Sequence, residues 1–446
     1  MPKLITFILL LFFSISVYAQ QKVWTLEECV EHAKKHNIDI QRKRLEMETS
    51  RVNLSEAKWA FAPAVSVSND YSISQGRVLD PTTYEYVENS VVAGNSTSVY
   101  ASLSVFNGMS RIHTVKLQKT ALSASLLGVE KAENDLMLNI TAYYLEILLA
   151  KESIRNAEQT VSSLKTQKDK TAKMVDVGKV TNADLLQIEA QLSDAETNLI
   201  MQKNQLYIAK LNICQLLEIE DYLAFEIAII DDKIDETLPL NIYDIQQSAQ
   251  LLPEIKMAEL GVNIEESNLN IARSALYPTI SIAGAYSTSY SSVRQKLVFN
   301  TDSTQIYVPY TFLDQYQDNL NSYIAVSFQM TLFNGLSVRK NIQRRKIALQ
   351  DSEYNLRSIQ KQVSKEVNQA YIDMTTALEK YNSTLSYLLS AQKAYELIES
   401  KYNVGATSIL DYNTALNNYV DASSKHIQAK YEYIFKTKII EFYMNN

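Results

Sequence analysis

The sequence predicts a mainly α-helical protein with a β-barrel portion, built from two copies of one structural unit. Glycine and proline are scarce, at 9 and 7 among 446 residues, and no proline lies between Pro81 and Pro239 or after Pro309. Such uninterrupted stretches favour very long helices. Four short segments alternate apolar and polar residues instead, which is typical of strands. The two halves also resemble each other, which indicates a duplication.

The first 19 residues have the pattern of a secretory signal peptide. Lys3 precedes an apolar run from Leu4 to Phe13, and Ala19 ends a small-residue cleavage site. This run is too short to span a bilayer comfortably, so we expect the mature chain to be exported. No other stretch approaches about 18 consecutive apolar residues, and no helical membrane span is predicted. The net charge of −7 gives no electrostatic footprint for nucleic acid.

An internal duplication organises the mature chain. The spacing from Asn107 to Gly178 equals that from Asn334 to Gly405, 71 residues in both halves. Matching segments are, in chain order, 57–68 with 272–283, 106–108 with 333–335, and 175–186 with 402–413. The predicted organisation is a signal peptide at 1–19, a first repeat at 20–218, a linker or equatorial segment at 219–240, and a second repeat at 241–446.

Each repeat carries one very long helix. Apolar residues alternate by four and three along both helices, which is the seam of coiled-coil packing. In the first repeat the seam is Leu136, Ile140, Tyr143, Ile147, Ala150, Ile154, Ala157, Val161 and Leu164; in the second it is Val363, Val367, Ala370, Met374, Ala377, Tyr381, Thr384, Leu388 and Ala391. A helix from about Met109 to Met174 would be ~100 Å long. Gly178 and Gly405 are expected to reverse the chain. In the first repeat two shorter helices are predicted, at about Thr25–Phe61 and Thr181–Leu217.

Four alternating segments predict membrane strands at about 64–72, 97–106, 279–290 and 321–333. The segments that connect them, about 70–96 and 287–320, read as long polar loops. Four strands cannot close a barrel, and an open edge in lipid leaves backbone groups without partners. Several copies must therefore share one barrel, and a trimer would supply 12 strands. A Phe-Asn-Gly stretch marks each predicted strand-to-helix junction, with asparagine as helix cap and glycine for a sharp turn: Phe106, Asn107, Gly108, Phe333, Asn334 and Gly335.

With its signal peptide, "TLEECVEHAKKHNIDI" opening, duplicated Pro-strand and strand-FNG units and "VG" reversals, the chain resembles the outer-membrane efflux proteins of the TolC family. The resemblance implies a homotrimeric conduit, with a shared 12-stranded barrel continuing into a 12-column helical tunnel across the periplasm. It also implies location in the outer membrane, contact with outer-membrane lipid, a periplasmic adaptor and an inner-membrane RND or ABC pump as partners, and no cofactor. Family members usually carry a second glycine at the junction, where this chain has Met109 and Leu336.

The resemblance also assigns roles to the two reversals. The expected periplasmic tips, which bind the adaptor, are Val177, Gly178, Lys179, Val180, Thr181, Val404, Gly405, Ala406, Thr407 and Ser408. Tyr402 and Asp411 match residues that line the tunnel constriction in the family. The family's constriction also has a second aspartate and an arginine, and this chain has Thr414 and Thr407 at those positions. Asp411 has an equally good explanation as a carboxylate favoured by the helix N-terminus.

No constellation of residues predicts an enzyme or a metal centre. His32 and His36 lie one helical turn apart, but no third metal ligand accompanies them, and a solvated helix face explains them better. The sequence "SSLK" at 162–165 lies mid-helix without companion motifs. Cys29 and Cys214 are either small buried hydrophobes or one disulfide. An elongated periplasmic coiled-coil protein without channel activity is the alternative function.

Overall fold

The computed structural model describes residues 22–79, 84–229, 241–302 and 304–445. The signal peptide and residues 230–240 of the predicted linker lie outside the described residues. Helices and strands are named here in chain order. The helices are α1 (Leu26–His36), α2 (Ile38–Trp59), α3 (Ser110–Asp176), α4 (Asn182–Leu217), α5 (Ile242–Ala249), α6 (Pro253–Ser274), α7 (Phe312–Asp318), α8 (Ser337–Asn403) and α9 (Ile409–Asn445). Among these described helices, none is both long and apolar enough to cross a membrane.

The strands form one four-stranded sheet and two small pairs. They are β1 (Val23–Trp24), β2 (Ala64–Leu79), β3 (Tyr86–Asn107), β4 (Glu226–Ile227), β5 (Thr279–Ser291), β6 (Gln295–Phe299), β7 (Gln305–Pro309) and β8 (Asn321–Gln329). The large sheet is antiparallel with the order β2-β3-β5-β8, so β2 and β8 are its edges. Strands β1 and β4 pair in parallel, and β6 and β7 form a hairpin.

The chain divides into two compact units that cut across the two sequence repeats. Met1–Glu46, Leu126–Met257 and Arg357–Asn446 make the helical unit, and Met47–Ser125 with Ala258–Leu356 make the unit that contains the sheet. Each unit takes segments from both repeats. Segments of both repeats therefore pack together within each unit, and neither repeat is a separate globule.

The core of the helical unit follows the predicted seam. On α3, Ile140, Ile147 and Leu164 are buried, as are Val367 and Met374 on α8. A cluster around Ile140 and Ile147 also takes in Ile213 at the end of α4. The seam therefore has the role that its spacing indicates, which is to pack the long helices against their neighbours.

A clamp that the sequence analysis missed holds the segment after α4. Glu226 accepts hydrogen bonds from the ammonium groups of Lys151, at 2.6 Å, and Lys210, at 2.7 Å. Burial raises the pKa of Glu226, but the two lysines outweigh this effect and hold the pKa below its ordinary value. The Tyr144 hydroxyl donates to the carbonyl of Ala228 at 2.7 Å. The only sequence signal was a lysine, Lys210, among the apolar residues that end α4.

The structure corrects two of the predicted elements. The opening helix is not continuous, because Asn37 separates α1 from α2, with its side-chain amide donating to the Leu216 carbonyl at 3.0 Å. The segment 287–320 is not a polar loop: it contains the β6–β7 hairpin and α7. Gln315 of α7 is buried, and it accepts from the Ser291 amide and donates to the Ser291 carbonyl.

The strands also differ in length from the prediction. Strands β2 and β3 continue through most of the segment expected to be a loop, because they pair with each other as far as Leu79 and Tyr86. Strand β8 instead stops at Gln329, four residues before the predicted end. Leu332 and Phe333 are 88% and 79% exposed. Within the described chain no strand lies beyond the β8 edge to pair with this segment.

Candidate functional site at the two helix reversals

The two reversals have the same backbone structure. Helix α3 ends in a Schellman motif, in which the Gly178 amide donates to the Val175 carbonyl and the Lys179 amide to the Met174 carbonyl. Gly178 has φ +74°, in the left-handed region that glycine adopts without strain. A Cβ at this position would meet nothing within 4 Å. The glycine is needed for the turn, and the space around it is open.

Helix α8 ends in the same way. The Gly405 amide donates to the Tyr402 carbonyl at 2.9 Å and the Ala406 amide to the Lys401 carbonyl at 2.8 Å. Gly405 has φ +78°, and here too an added Cβ would meet nothing within 4 Å. The "VG" sequence therefore produces the same type of reversal in both repeats.

Capping boxes start the helices after both reversals. The Thr181 hydroxyl accepts from the Asp184 amide, and the Asp184 carboxylate accepts from the Thr181 amide. In the second repeat Ser408 and Asp411 make the same exchange, at 3.2 Å and 3.3 Å. Asp184 and Asp411 occupy duplicated positions. The presence of an aspartate at each reversal is therefore explained by its role in the capping box that starts the following helix.

The environment of Asp411 is that of a well-hydrogen-bonded, exposed carboxylate. The hydroxyls of Ser408 and Thr407 donate to it at 2.7 Å and 2.9 Å. These hydroxyls, with the Ser408 amide, lower its pKa below the ordinary value. Within one chain the carboxylate is thus stabilised in its charged form.

The three residues predicted for a constriction lie in different surroundings. Tyr402 is 2% exposed and packs against Tyr412, with ring centroids 5.1 Å apart. Asp411 and Thr414 are exposed, and the Thr414 hydroxyl donates to the Leu410 carbonyl. Within one chain, Tyr402 belongs to the core and does not share a surface with Asp411.

The residues predicted to form the tips are largely solvent-exposed. Val177 and Val404 are 68% and 80% exposed, although each is apolar. Exposed positions are Val177, Gly178, Lys179, Thr181, Val404, Gly405, Ala406 and Ser408, and the half-buried ones are Val180 and Thr407. Each of the two matching loops therefore exposes a valine beside a glycine, which makes a small apolar surface at each reversal.

The strand-to-helix junctions are a second duplicated feature. Gly108 and Met109 have φ +65° and +69°, and Gly335 and Leu336 have φ +64° and +67°. Two successive residues in the left-handed region make the sharp turn, and the second is strained because it carries a side chain. The Asn107 side chain accepts from the Arg111 amide at 3.5 Å, a long distance for a helix cap.

The remaining titratable candidates have structural explanations. Cys29 and Cys214 are free and buried in one core cluster, and burial raises their pKa values to about 12 and about 11. His32 and His36 stack with ring centroids 4.1 Å apart. Burial lowers the pKa of His32. In the part of the chain that the structure describes, no group of three or more His, Cys, Asp or Glu residues could hold a metal ion.

Comparison with known proteins identifies the family. The family model of the outer membrane efflux protein matches residues 29–217 and 245–436. The chain belongs to the outer membrane efflux protein family. This efflux protein is 21% identical to the outer membrane protein TolC of Escherichia coli over 419 residues, covering 92% of this chain and 80% of TolC. The resemblance predicted from the sequence is thereby confirmed.

Solved structures of outer-membrane channels have the same fold. The CusC transmembrane channel is similar with a TM-score of 0.79 at 16% identity, covering 97% of this chain and 94% of that chain. The CmeC channel of Campylobacter jejuni is similar with a TM-score of 0.75 at 18% identity, covering 94% and 85%. The efflux protein is located in the outer membrane, extends into the periplasm, and is an exit duct of an efflux or secretion system. Its relatives are channels, not enzymes.

Proposed function

We propose that three copies of this efflux protein form one duct, with their sheets joined in a 12-stranded barrel and their helices forming a tunnel. Substrate would enter from an inner-membrane pump of the RND or ABC class through a periplasmic adaptor. The observation that carries this proposal concerns contacts between the two repeats. Some of these contacts form once within the chain, and the duplication predicts equivalent contacts that one chain alone cannot make.

The sheet edges provide the first support. Strand β3 pairs with β5 from the second repeat, and Asn107 lies opposite Thr279. By the duplication, β8 should pair in the same way with a β2 strand, which places Asn334 opposite Ala64 of a second copy. Within one chain β2 and β8 are the two edges and do not meet. Pairing between copies would extend β8 through Phe333 and remove open edges from the lipid.

The helical unit provides independent support. Ile434 and Phe435 of α9 pack against the first-repeat core cluster. The duplicated positions on α4 are Tyr207 and Ile208, which are 48% and 42% exposed. Large apolar side chains are therefore present at the matching sites but lack matching neighbours. A second copy, presenting α8 to this face of α4, would cover them as α3 covers α9.

The two reversals are the surfaces that would bind the adaptor. Their matching shape suits a partner that meets both repeats in the same way, and their exposed valines supply apolar contact area. Asp411 would also line the constriction if the second tips converge on the trimer axis. That role would depend on how the three copies are arranged, because within one chain Asp411 acts only as a helix-capping residue.

The test is a substitution at each reversal glycine. Gly178→Asp or Gly405→Asp should abolish export while the trimer still forms, because each adds charge and bulk to the adaptor surface. The readouts are drug or peptide export in cells and oligomeric mass in detergent.

Gly178→Asn and Gly405→Asn are the matched controls. Asparagine tolerates the left-handed backbone about as well as aspartate but adds no charge. Retained export in the asparagine variants would assign the defect to charge, and loss in both pairs would assign it to bulk. Normal export in all four variants would refute the tip assignment, and a monomeric wild-type protein would refute the shared barrel.

A further inference from the structure

We infer that the first turns of α8 form a binding site for the phosphate headgroups of anionic phospholipids in the periplasmic leaflet. This inference rests on the proposed placement of the four-stranded sheet in the membrane. It assigns a lipid class and named residues to the strand-to-helix junction.

The observation is a local reversal of the charge of the chain. From residue 319 to residue 350 the sequence contains no Asp or Glu, although the whole chain has net charge −7. This stretch contains five basic residues, which are Arg339, Lys340, Arg344, Arg345 and Lys346. The first junction repeats the pattern more weakly, with three Lys or Arg residues and no acid between residues 89 and 129.

The five basic side chains are exposed and poorly neutralised within the chain. Arg345 lies 4.0 Å from the Glu265 carboxylate. Lys340 and Arg344 donate only to neutral side-chain oxygens, each at 3.4 Å. In the described residues, no carboxylate lies within salt-bridge distance of Arg339, Lys340, Arg344 or Lys346.

Helix stability does not explain these charges. Cations near a helix N-terminus oppose the macrodipole, and Lys340 with Arg344 places two like charges one turn apart. The first turn of α8 contains no acidic residue to compensate. An anionic partner outside the chain would offset this repulsion, and arginine binds phosphate in a bidentate geometry.

The position of the charges indicates a lipid. The β8 segment presents exposed apolar side chains at Ile324, Val326 and Phe328, and Phe333 follows at 79% exposure. The headgroup layer on each side of the hydrocarbon core is only about 5–8 Å thick. Arg339 and Lys340 are in the first turn of α8, a few residues beyond Phe333, and the long side chain of Arg344 can extend back toward the interface. Along the chain, the exposed apolar side chains are followed by the cations, in the same order as the hydrocarbon core and the headgroup layer of a bilayer.

The experiment uses the full-length protein reconstituted in phosphatidylcholine vesicles that contain spin-labelled phosphatidylglycerol or spin-labelled phosphatidylcholine. The motionally restricted signal measures the association of each lipid with the protein surface. A single cation near an anionic headgroup is worth about a fivefold preference. The wild type should therefore favour phosphatidylglycerol about fivefold, and the preference should fall in 1 M salt, where the screening length is about 3 Å.

The test variant is Arg339→Gln/Lys340→Gln/Arg344→Gln. It leaves Arg345 with Glu265, and it leaves Lys346, which lies ~13 Å along the helix from Ser337 and so beyond the headgroup layer. Its preference should drop to about one. The matched control removes three exposed lysines of the same helix that lie more than 20 residues along the chain from its first residue. It is Lys361→Gln/Lys365→Gln/Lys393→Gln, and it should keep the wild-type preference.

Equal lipid preference in the wild type and the test variant would overturn the inference. Loss of oligomeric mass in the test variant with unchanged lipid preference would also overturn it, because the cations would then bind another copy of the chain. A wild type without any motionally restricted lipid would instead refute the membrane placement of the sheet.

Discussion

The two strand-to-helix junctions have the same sequence and backbone but different surroundings. A Cβ on Gly108 would lie 2.3 Å from the Ser274 carbonyl oxygen, whereas a Cβ on Gly335 would meet nothing within 4 Å. Ser274 faces Gly108, and the duplicated position of Ser274 is Trp59. Trp59 should therefore face Gly335, but it is 73% exposed. The difference teaches that the same sequence and backbone are enclosed at one junction and open at the other. In the proposed assembly a second copy would enclose the open junction.

The largest expected effect separates the two glycines. Gly108→Ala should destabilise the chain by about 3 kcal/mol or more, because a backbone clash adds to left-handed strain. Gly335→Ala should cost the isolated chain only about 1 kcal/mol, from strain alone. Thermal unfolding of the single chain, in a detergent that dissociates the assembly, measures both effects.

Oligomeric mass sharpens this comparison. If Gly335 packs against Trp59 of a second copy, Gly335→Ala should weaken assembly well beyond its effect on the single chain. Unchanged assembly together with equal unfolding temperatures for the two variants would contradict the difference between the junctions.

An intermediate effect is expected at the clamp, which also distinguishes the repeats. The positions that duplicate Lys151 and Lys210 are Leu378 and Thr437, so the second repeat lacks this pair of lysines. Glu226→Gln would leave Lys210, whose side chain is 5% exposed, without a charged partner. We expect a loss of about 2 kcal/mol in the free energy of unfolding, less than for a fully buried pair because Glu226 is about one-third exposed.

The clamp also has a defined pH dependence. Because the folded-state pKa of Glu226 is lowered, its contribution is complete above the unfolded value of about 4.3 and is lost as the pH falls through the folded value. Acid titration of the unfolding temperature should show this loss in the wild type and not in Glu226→Gln. As a control, Glu196→Gln removes a surface partner of Lys165 and should change stability little.

The smallest effect compares the two capping carboxylates. Asp184→Asn and Asp411→Asn should each lower the unfolding temperature by about 1–3 °C, since both residues make the same capping box. Single-channel conductance then separates local from assembled roles. Altered ion selectivity in Asp411→Asn alone would support a constriction, and identical conductance in both variants would leave Asp411 with capping only.

Local patterns in the sequence were sufficient to predict the elements that depend on near neighbours. The 3.5-residue seam predicted the buried face of α3, and the "VG" pairs predicted both reversals, because periodicity and left-handed glycine are local properties. The break at Asn37 could not be predicted, since it depends on a hydrogen bond to Leu216, 179 residues away in the chain. The burial of Tyr402 likewise depends on contacts with α9.

The sequence by itself determined the family, the duplication and the long helices that end at Gly178 and Gly405. Only the tertiary structure decided that β8 stops at Gln329, that Glu226 joins two lysines, and that Gly108 is enclosed while Gly335 is open. The physical reason is that periodicity, capping and turn chemistry act over a few residues. Strand ends, ion pairs and close backbone contacts depend on which distant segment, in this chain or the next, lies alongside.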